Sequence, residues 1–299
     1  MADNKPIIVI DRETGKEFQE KVMGEKWIRW AYQDSKSGLV QRMLFGSRML
    51  SSLMGAYYDS RFSRGKIASA IEELDIDTNE IADPVESFKS FNQFFFRKLR
   101  SDARPFSNAP EDIVCPADGR ALVFPKIEAD QFVPIKGFPF SIRKMLPGQA
   151  AEKFINGSLA IVRLCPADYH RYHFPCAGEI VEYKDLAGAL HSVNPIALAS
   201  GHDVFGENKR SYALIETPNA GTVAYVEVGA FGVGSIINTK TSGAVEKMEE
   251  KGYFKFGGST VVLLFEPGKI QFTQDLVTNS AQGKETLVKV GQPFAKTVS

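Results

Sequence analysis

The chain has 299 residues, of which 43% are hydrophobic and 24% are charged, an ordinary composition for a globular protein with a sizeable core. Lys and Arg (36) balance Asp and Glu (36), so the net charge gives no reason to expect a nucleic acid partner. Three cysteines, Cys115, Cys165 and Cys176, form no paired framework and indicate a reducing, cytosolic compartment. We expect neither a signal peptide nor a membrane span, because the N-terminus lacks a basic and then apolar pattern and no apolar run is long enough.

The pattern of residues changes once along the chain. Residues 6–18 predict a small hairpin turning at Gly15, and from about Glu20 to Leu99 the spacing is helical. From Val114 onward, short β-branched and aromatic runs alternate with Gly and Pro, which is typical of strands. These runs are ALVFP, SLAIVRL, EIVEY, YALIET, TVAYVEVGAF, VVLLF and KIQF.

The predicted fold class is therefore α+β, with a helical N-terminal region followed by a mainly antiparallel, sandwich-like β core. A stretch rich in Pro, Ser, Asn and Asp at residues 100–113 is typical of a boundary. We accordingly predict a helical region at 1–100 and a β-rich catalytic domain at 101–299.

One helical stretch has an unusual charge pattern. Ser35 to Tyr58 contains Lys36, Arg42 and Arg48 but no acidic residue, and many of its large apolar residues recur at spacings of three and four. A helix with a wide apolar face and flanking positive charge is typical of a membrane interface. The alternative, a helix that packs against the protein core, stays open.

The segment Gly257-Gly258-Ser259-Thr260 precedes the apolar run VVLLF and, taken alone, is typical of a flexible turn. It also suits a chemical role, because a serine hydroxyl can attack the carbonyl just before it. Gly258 leaves that carbonyl unshielded and permits unusual backbone conformations. Ser259 is predicted to lie inside the β core, since the apolar run follows it directly.

Such an attack needs a base, and all four histidines of the chain fall between His170 and His202. His170 and His173 share a segment, Asp168 to Pro175, that we predict to be a loop; in a turn, this pair could face one cavity. Each histidine could instead be a hydrogen-bonded core residue.

A carboxylate that orients a catalytic histidine is offered by Asp118 in the turn Cys115-Pro116-Ala117-Asp118-Gly119, although a plain Asp-Gly turn is the alternative. The spacing of Cys165, His170, His173 and Cys176 matches no usual zinc pattern, so we predict no metal. The chain contains no dinucleotide-binding or P-loop motif.

Taken in order, the motifs resemble those of the phosphatidylserine decarboxylase family over residues 85–297. The matching segments are FNQFFFRKLR (91–100), CPADG (115–119), DYHRYHFPCAG (168–178), LHSVNPIAL (190–198), ENKR (207–210), VGAFGVGSI (228–236) and KFGGSTVVLLFEPGKI (255–270).

The resemblance implies a proenzyme that cleaves its own Gly258-Ser259 bond, with Asp118, His173 and Ser259 as the cleavage triad. Ser259 becomes a covalent pyruvoyl group, so neither pyridoxal phosphate nor a metal is expected. His170 is implied in the decarboxylation of phosphatidylserine to phosphatidylethanolamine. Gly257 stands where the family most often has leucine, a departure that bears on the rate of cleavage.

The resemblance also implies the partners: a phospholipid substrate, an anionic membrane surface, and a heterodimer of the fragments 1–258 and 259–299, with a dimer of that heterodimer left open. We expect a peripheral protein on the cytoplasmic face of the membrane. One alternative is a pyruvoyl decarboxylase of the same family for another amino acid or serine lipid, such as archaetidylserine. A second is an uncleaved β-sandwich binding module, with or without zinc.

Overall fold

The computed structural model describes residues 7–20, 48–127, 141–191, 204–230, 235–257 and 259–298. The strands in the first half of the chain are β1 (Ile8–Asp11), β2 (Glu17–Gln19), β3 (Asp112–Val114), β4 (Gly119–Phe124), β5 (Ser158–Leu164), β6 (Arg171–His173), β7 (Gly178–Leu186) and β8 (Arg210–Thr217). They are followed by β9 (Gly221–Gly229), β10 (Ile236–Asn238), β11 (Gly243–Val245), β12 (Glu250–Phe254), β13 (Ser259–Phe265), β14 (Ile270–Phe272), β15 (Glu285–Val288) and β16 (Pro293–Thr297).

Short helices connect and cover these strands. The α-helices are α1 (Arg48–Asp59), α2 (Lys66–Leu74), α3 (Phe91–Phe95), α4 (Ile142–Met145), α5 (Val204–Glu207) and α6 (Gln274–Ala281). Single 3-10 turns occur at Arg61–Gly65, Thr78–Glu80 and Val85–Ser87, and a longer 3-10 helix at Gly148–Phe154.

Ten strands form one large sheet in the order β11-β7-β8-β9-β13-β5-β4-β15-β1-β2. All neighbours in this sheet are antiparallel except β1 and β15, which are parallel. Two three-stranded sheets, β10-β12-β6 and β14-β16-β3, complete the β structure of the described residues. The prediction of a mainly antiparallel β-rich core is confirmed, and every strand run predicted from the sequence contributes to a strand.

Strand β13 lies in the middle of the large sheet and is buried on both faces. Val261, Leu263 and Phe265 point into one apolar cluster, which also contains Tyr172 and Phe254 of the small sheet β10-β12-β6. The alternate residues of β13 point into a second cluster on the opposite face. Burial on both faces explains why this strand reads as an uninterrupted apolar run rather than an alternating one.

The N-terminal hairpin is confirmed. Strands β1 and β2 pair antiparallel, and Gly15 turns between them with a φ of +68°, a conformation that favours glycine. The hairpin also joins the large sheet through the parallel pairing of Val9 with Glu285, a contact between residues far apart in sequence.

The helices between residues 48 and 95 pack around a separate apolar cluster. The buried members of this cluster are Ile67, Ala70, Leu74, Ile76, Ile81, Phe88, Phe91, Phe94 and Phe95. Helix α1 covers the end of the stretch predicted for a membrane interface, while residues 35–47 lie outside the described residues. Residues 101–111 carry no helix or strand. The division into two domains stays a prediction.

A buried ion cluster joins three distant parts of the chain. The Arg163 guanidinium on β5 donates to Glu20, just after β2, over 2.6 and 3.1 Å, and to Glu285 on β15 over 2.7 and 3.0 Å. All three side chains are almost fully buried. Breaking such a pair by removing one partner leaves an uncompensated charge, which typically costs about 3–5 kcal/mol.

This cluster predicts a stability loss in acid. Burial raises the pKa of Glu20, but the charge and hydrogen bonds of Arg163 outweigh it and lower the pKa from 4.5 to about 2. The unfolded chain therefore takes up the proton first, so this stabilisation is complete above pH 4.5 and lost as the pH falls towards about 2. Its expected size is on the order of 3 kcal/mol.

The measurement is the free energy of unfolding in urea at several pH values, made in a Ser259→Ala background so that a single chain unfolds. Glu20→Gln should be less stable than its parent at pH 7, and the difference should vanish near pH 2. Glu17→Gln is the matched control, because Glu17 lies on the same hairpin in an exposed pair with Lys284. A constant difference between Glu20→Gln and its parent at all pH values would contradict the prediction.

Candidate active site

Ser259 is the first residue of β13, where it pairs with Leu164 of β5 and Gly229 of β9. Its side chain is fully buried, which confirms the prediction that it lies inside the β core. The Ser259 Oγ has no hydrogen-bond partner among the described residues. Leaving a buried hydroxyl unpaired is unfavourable by about 1–3 kcal/mol, and a native exception of this kind calls for an explanation.

The segment that leads into Ser259 is held by the N-terminal helices. The Phe256 backbone N–H donates to Asn92 Oδ1 over 2.8 Å, and the Phe256 ring packs 5.2 Å from Phe95 and 4.3 Å from Tyr58. Gly257 has a φ of +143°, in the range that favours glycine. Gly258, the predicted cleavage residue, lies outside the described residues.

His170 lies just before β6 with its ring packed against Phe95, the ring centroids 3.7 Å apart and the planes tilted by 33°. Its Nδ1 is 2.9 Å from the backbone carbonyl of Asp168. Because a carbonyl only accepts, Nδ1 carries the proton and Nε2 is an acceptor. Nε2 is buried without a partner among the described residues. Burial lowers the pKa of His170 to about 3, so the ring is uncharged at neutral pH.

His173 is the last residue of β6, and both of its ring nitrogens have partners. Nδ1 faces the carbonyl oxygen of Met248 at 2.9 Å, and Nε2 lies 3.2 Å from the hydroxyl of Tyr169. Burial lowers the pKa of His173, while the charges of Glu250 and Asp118 oppose that shift. The imidazole is thus uncharged, with an Nε2 that accepts from Tyr169.

The loop predicted from Asp168 to Pro175 is wrong in its centre, because Arg171–His173 form strand β6. This strand pairs with β12, a contact that local sequence does not reveal, and Pro175 only follows the end of the strand. Tyr172 points into the main core, so strand alternation directs His173 to the other side. His170 and His173 consequently have separate surroundings rather than one shared turn.

Asp118 lies in the turn before β4 and is paired with an arginine. Its carboxylate accepts from Arg104 Nη2 over 2.6 Å and Nε over 3.1 Å, and Oδ1 also accepts from the Val290 backbone N–H over 2.8 Å. In the uncleaved chain, no described hydrogen bond joins Asp118, His173 and Ser259. The triad of these three residues stays a prediction.

Sequence reasoning missed two residues beside His170. Asp168 fixes His170 through its backbone carbonyl, and its buried carboxylate accepts from the Cys165 backbone N–H and from Arg120. The position of Asp168, two residues before His170, was the available signal. Arg97 is buried, and its Nε and Nη1 have no partner in the described part of the chain; its charge helps to lower the pKa of His170.

Arg97 and Asp168 line a cavity of about 140 Å³ that also reaches Arg104, Asp118 and Tyr169. Asp118 and Asp168, whose backbone carbonyl holds the His170 ring, therefore line the same cavity. Within the described residues, no three His, Cys, Asp or Glu side chains gather in a way that could hold a metal ion. His202 lies outside the described residues, and the His191 backbone N–H donates to Asn208 at the sheet.

A buried serine hydroxyl with no hydrogen-bond partner among the described residues, in a chain that also holds two uncharged histidines, is typical of one class of protein, the enzymes that react at a serine. Comparison with known proteins narrows this class. The sequence profile of phosphatidylserine decarboxylase matches residues 91–296. The chain belongs to the phosphatidylserine decarboxylase family, a family of carboxy-lyases, as the sequence motifs predicted.

Similar proteins span almost the whole chain, and each of three bears the name phosphatidylserine decarboxylase proenzyme. The protein of Ruminiclostridium cellulolyticum is 38% identical over 294 residues, which cover 98% of either chain. That of Fusobacterium nucleatum is 40% identical over 288 residues, covering 95% of this chain and 96% of the relative. A Chlamydia trachomatis protein is 41% identical over 297 residues, covering 99% of both.

Proposed function

We propose that this chain is a phosphatidylserine decarboxylase proenzyme, which cleaves itself between Gly258 and Ser259 and then converts phosphatidylserine to phosphatidylethanolamine. The observation that carries the proposal is the buried Oγ of Ser259, which has no partner in the described part of the chain, at the start of the central strand in a chain of this family. An exposed serine in a flexible turn, the alternative for this motif, would be hydrated and unconstrained.

In the cleavage step, Ser259 Oγ attacks the carbonyl carbon of Gly258 and its proton passes to a base, for which we propose His173 with support from Asp118. An ester replaces the peptide bond. Loss of the Ser259 α-proton then expels the Gly258 carboxylate and leaves a dehydroalanine, which takes up water and releases ammonia. Residue 259 is then a pyruvoyl group at the start of a new chain.

The position of Ser259 suits a pyruvoyl group, because it is buried. Among the described residues, Oγ makes no hydrogen bond that would have to break when the group forms. When formed, the pyruvoyl carbonyl supplies the electron sink for the pair left behind as carbon dioxide departs. His170 Nε2 has no partner among the described residues and is uncharged, so it can accept a hydrogen bond from the bound substrate. We propose that His170 passes a proton from water to the carbon that has lost its carboxylate.

The two fragments, residues 1–258 and 259–299, are proposed to stay together without a covalent link. Strand β13 belongs to the smaller fragment, and all seven of its residues pair with β5 on one side and with β9 on the other. The ion pairs of Glu285 with Arg163 also cross between the fragments. The sheet thus retains the smaller fragment in its centre.

We further propose that the chain binds the cytoplasmic face of an anionic membrane as a peripheral protein. Leu53 on α1 is 62% exposed and Phe62 just after it is 88% exposed, with Arg61 and Arg64 beside them. Apolar side chains flanked by positive charge suit the interface of an anionic bilayer. Among the described residues, no helix has the length and apolarity needed to cross a bilayer.

Replacing Leu53 and Phe62 together by serine is expected to weaken binding to vesicles at least tenfold, because each side chain contributes about 1.5–3 kcal/mol when it leaves water. The measurement is the fraction of protein that sediments with vesicles of phosphatidylcholine that contain about 30% phosphatidylglycerol. Phe106→Ser is the control, since Phe106 is an exposed aromatic residue outside these helices. Equal binding of the wild type and the double variant would contradict the membrane assignment.

The experiment that tests the function combines mass spectrometry of the purified protein with an assay of carbon dioxide release. We expect two fragments, the smaller beginning with a pyruvoyl group, and decarboxylation of phosphatidylserine in detergent micelles but not of free serine. Activity on free amino acids or on another serine lipid would favour the alternative substrate within the family. A single intact chain without activity would favour an uncleaved binding module.

A further inference from the structure

A lysine and a glutamate form an ion pair deep inside the protein, away from the residues assigned to catalysis. Lys251 on β12 and Glu227 on β9 are both fully buried, and Lys251 Nζ lies 2.5 Å from Glu227 Oε1. The pair links the small sheet that contains β12 to the large sheet that contains β9.

Both charged groups have further partners, so the pair is a built feature. Lys251 Nζ donates to Asn238 Oδ1 over 2.7 Å, and Glu227 Oε2 accepts from Ser211 Oγ over 2.7 Å. Four aromatic rings surround the ammonium at 5.1–6.0 Å from their centroids, a distance at which a cation is attracted to a ring. These rings belong to Tyr172, Phe174, Tyr183 and Tyr225.

Stability alone does not explain this pair. Removing two charges from water is costly, and apolar residues of similar volume often serve as well or better. Burial lowers the pKa of Lys251, because desolvation disfavours the ammonium, while the charge of Glu227 opposes that shift. A buried pair of this kind is better explained by a geometry that it imposes, and fixing the register of neighbouring elements is the best attested use.

The position of the pair indicates which geometry this is. Strand β12 ends at Phe254, and only residues 255–258 separate it from Ser259. On the other side, Glu227 is paired with Val261 and Gly229 with Ser259. The ion pair therefore connects β12, which leads into the cleavage segment, to β9, which pairs with the strand that follows this segment.

We propose that the Lys251–Glu227 pair is a positioning device for self-cleavage, which fixes β12 against β9 so that residues 255–257 approach Ser259 from one direction. This inference rests on the proposed cleavage at Gly258-Ser259. Neither residue reacts. The pair acts by holding the segment that follows β12 and the hydroxyl of Ser259 in a constant relation, on which a reaction between neighbouring groups depends steeply.

The test is the double variant Glu227→Gln with Lys251→Met, which removes both charges and keeps similar shapes. We expect its free energy of unfolding, measured in a Ser259→Ala background, to equal or exceed that of the parent. We expect its cleavage, followed by electrophoresis after refolding from denaturant, to be at least tenfold slower. The portion that has cleaved should decarboxylate with an unchanged kcat. A stable double variant that cleaves at the wild-type rate would overturn the proposal.

A second variant covers the case in which the double variant fails to fold. Asn238→Ala retains both charges but removes the amide contact to Lys251, and we expect cleavage about threefold slower; an unchanged rate there would overturn the proposal. Val223→Ala is the matched control. Val223 is buried on β9, the strand that carries Glu227, but it pairs with Phe265 at the far end of β13. It should lose stability without slower cleavage. Failure of the wild type to cleave would instead refute the proposed function.

Discussion

Replacing Ser259 by alanine is expected to leave one intact chain of 299 residues with no decarboxylase activity. Without Oγ, no ester can replace the Gly258-Ser259 bond. In the uncleaved chain, residue 259 keeps its backbone nitrogen, so the pyruvoyl carbonyl cannot form there. Denaturing electrophoresis and mass measurement of the purified protein provide the readout. We expect two fragments from the wild type and one chain from the variant.

Ser158→Ala is the matched control for this substitution. Ser158 is buried at the opposite end of the same β13–β5 ladder, where it pairs with Phe265, and its hydroxyl donates to the Pro125 carbonyl. This control should lose some stability and still cleave. Two fragments from Ser259→Ala, with the same boundary as in the wild type, would remove Ser259 from its proposed role.

Exchanging the two neighbouring histidines for alanine, one at a time, is expected to separate cleavage from decarboxylation. His173→Ala should remain an intact chain because the proposed base is lost. His170→Ala should cleave but lose decarboxylation by about 10²–10⁴-fold, the usual contribution of a positioned acid or base. Electrophoresis measures the first effect, and release of carbon dioxide from phosphatidylserine measures the second.

The lowered pKa of His170 also leads to an expectation for how activity varies with pH. Since burial lowers its pKa to about 3, its uncharged form persists at every pH above that value. The activity of the mature enzyme should therefore show no step from His170 between pH 5 and 8. Loss of cleavage in His170→Ala together with normal cleavage in His173→Ala would reverse the two assignments.

Sequence patterns predicted local structure well where burial controls it. The run VVLLF indicated a core strand and placed Ser259 inside, and the hairpin at Gly15 followed from its turn residues. Long-range pairing could not be predicted in the same way. Nothing near Arg171–His173 reveals that β12 pairs with this segment, and so the local sequence predicts a loop where the structure has a strand.

The candidate site shows the same division. The histidine pair and Asp118 could be singled out by residue type and spacing alone. The ion pair of Asp118 with Arg104 and the packing of His170 against Phe95 depend on how the helical region packs against the sheet. The buried cluster of Glu20, Arg163 and Glu285 joins residues more than a hundred positions apart, for which a single sequence carries no pairing signal.

The central place of β13 has a consequence for how the enzyme becomes active. Ser259 is enclosed only when β13 has inserted between β5 and β9, and β13 is made after both of them. On the proposed mechanism, a copy with an incomplete sheet cannot produce its own prosthetic group. Only chains that have completed the sheet can then mature, so folding precedes the processing of any lipid.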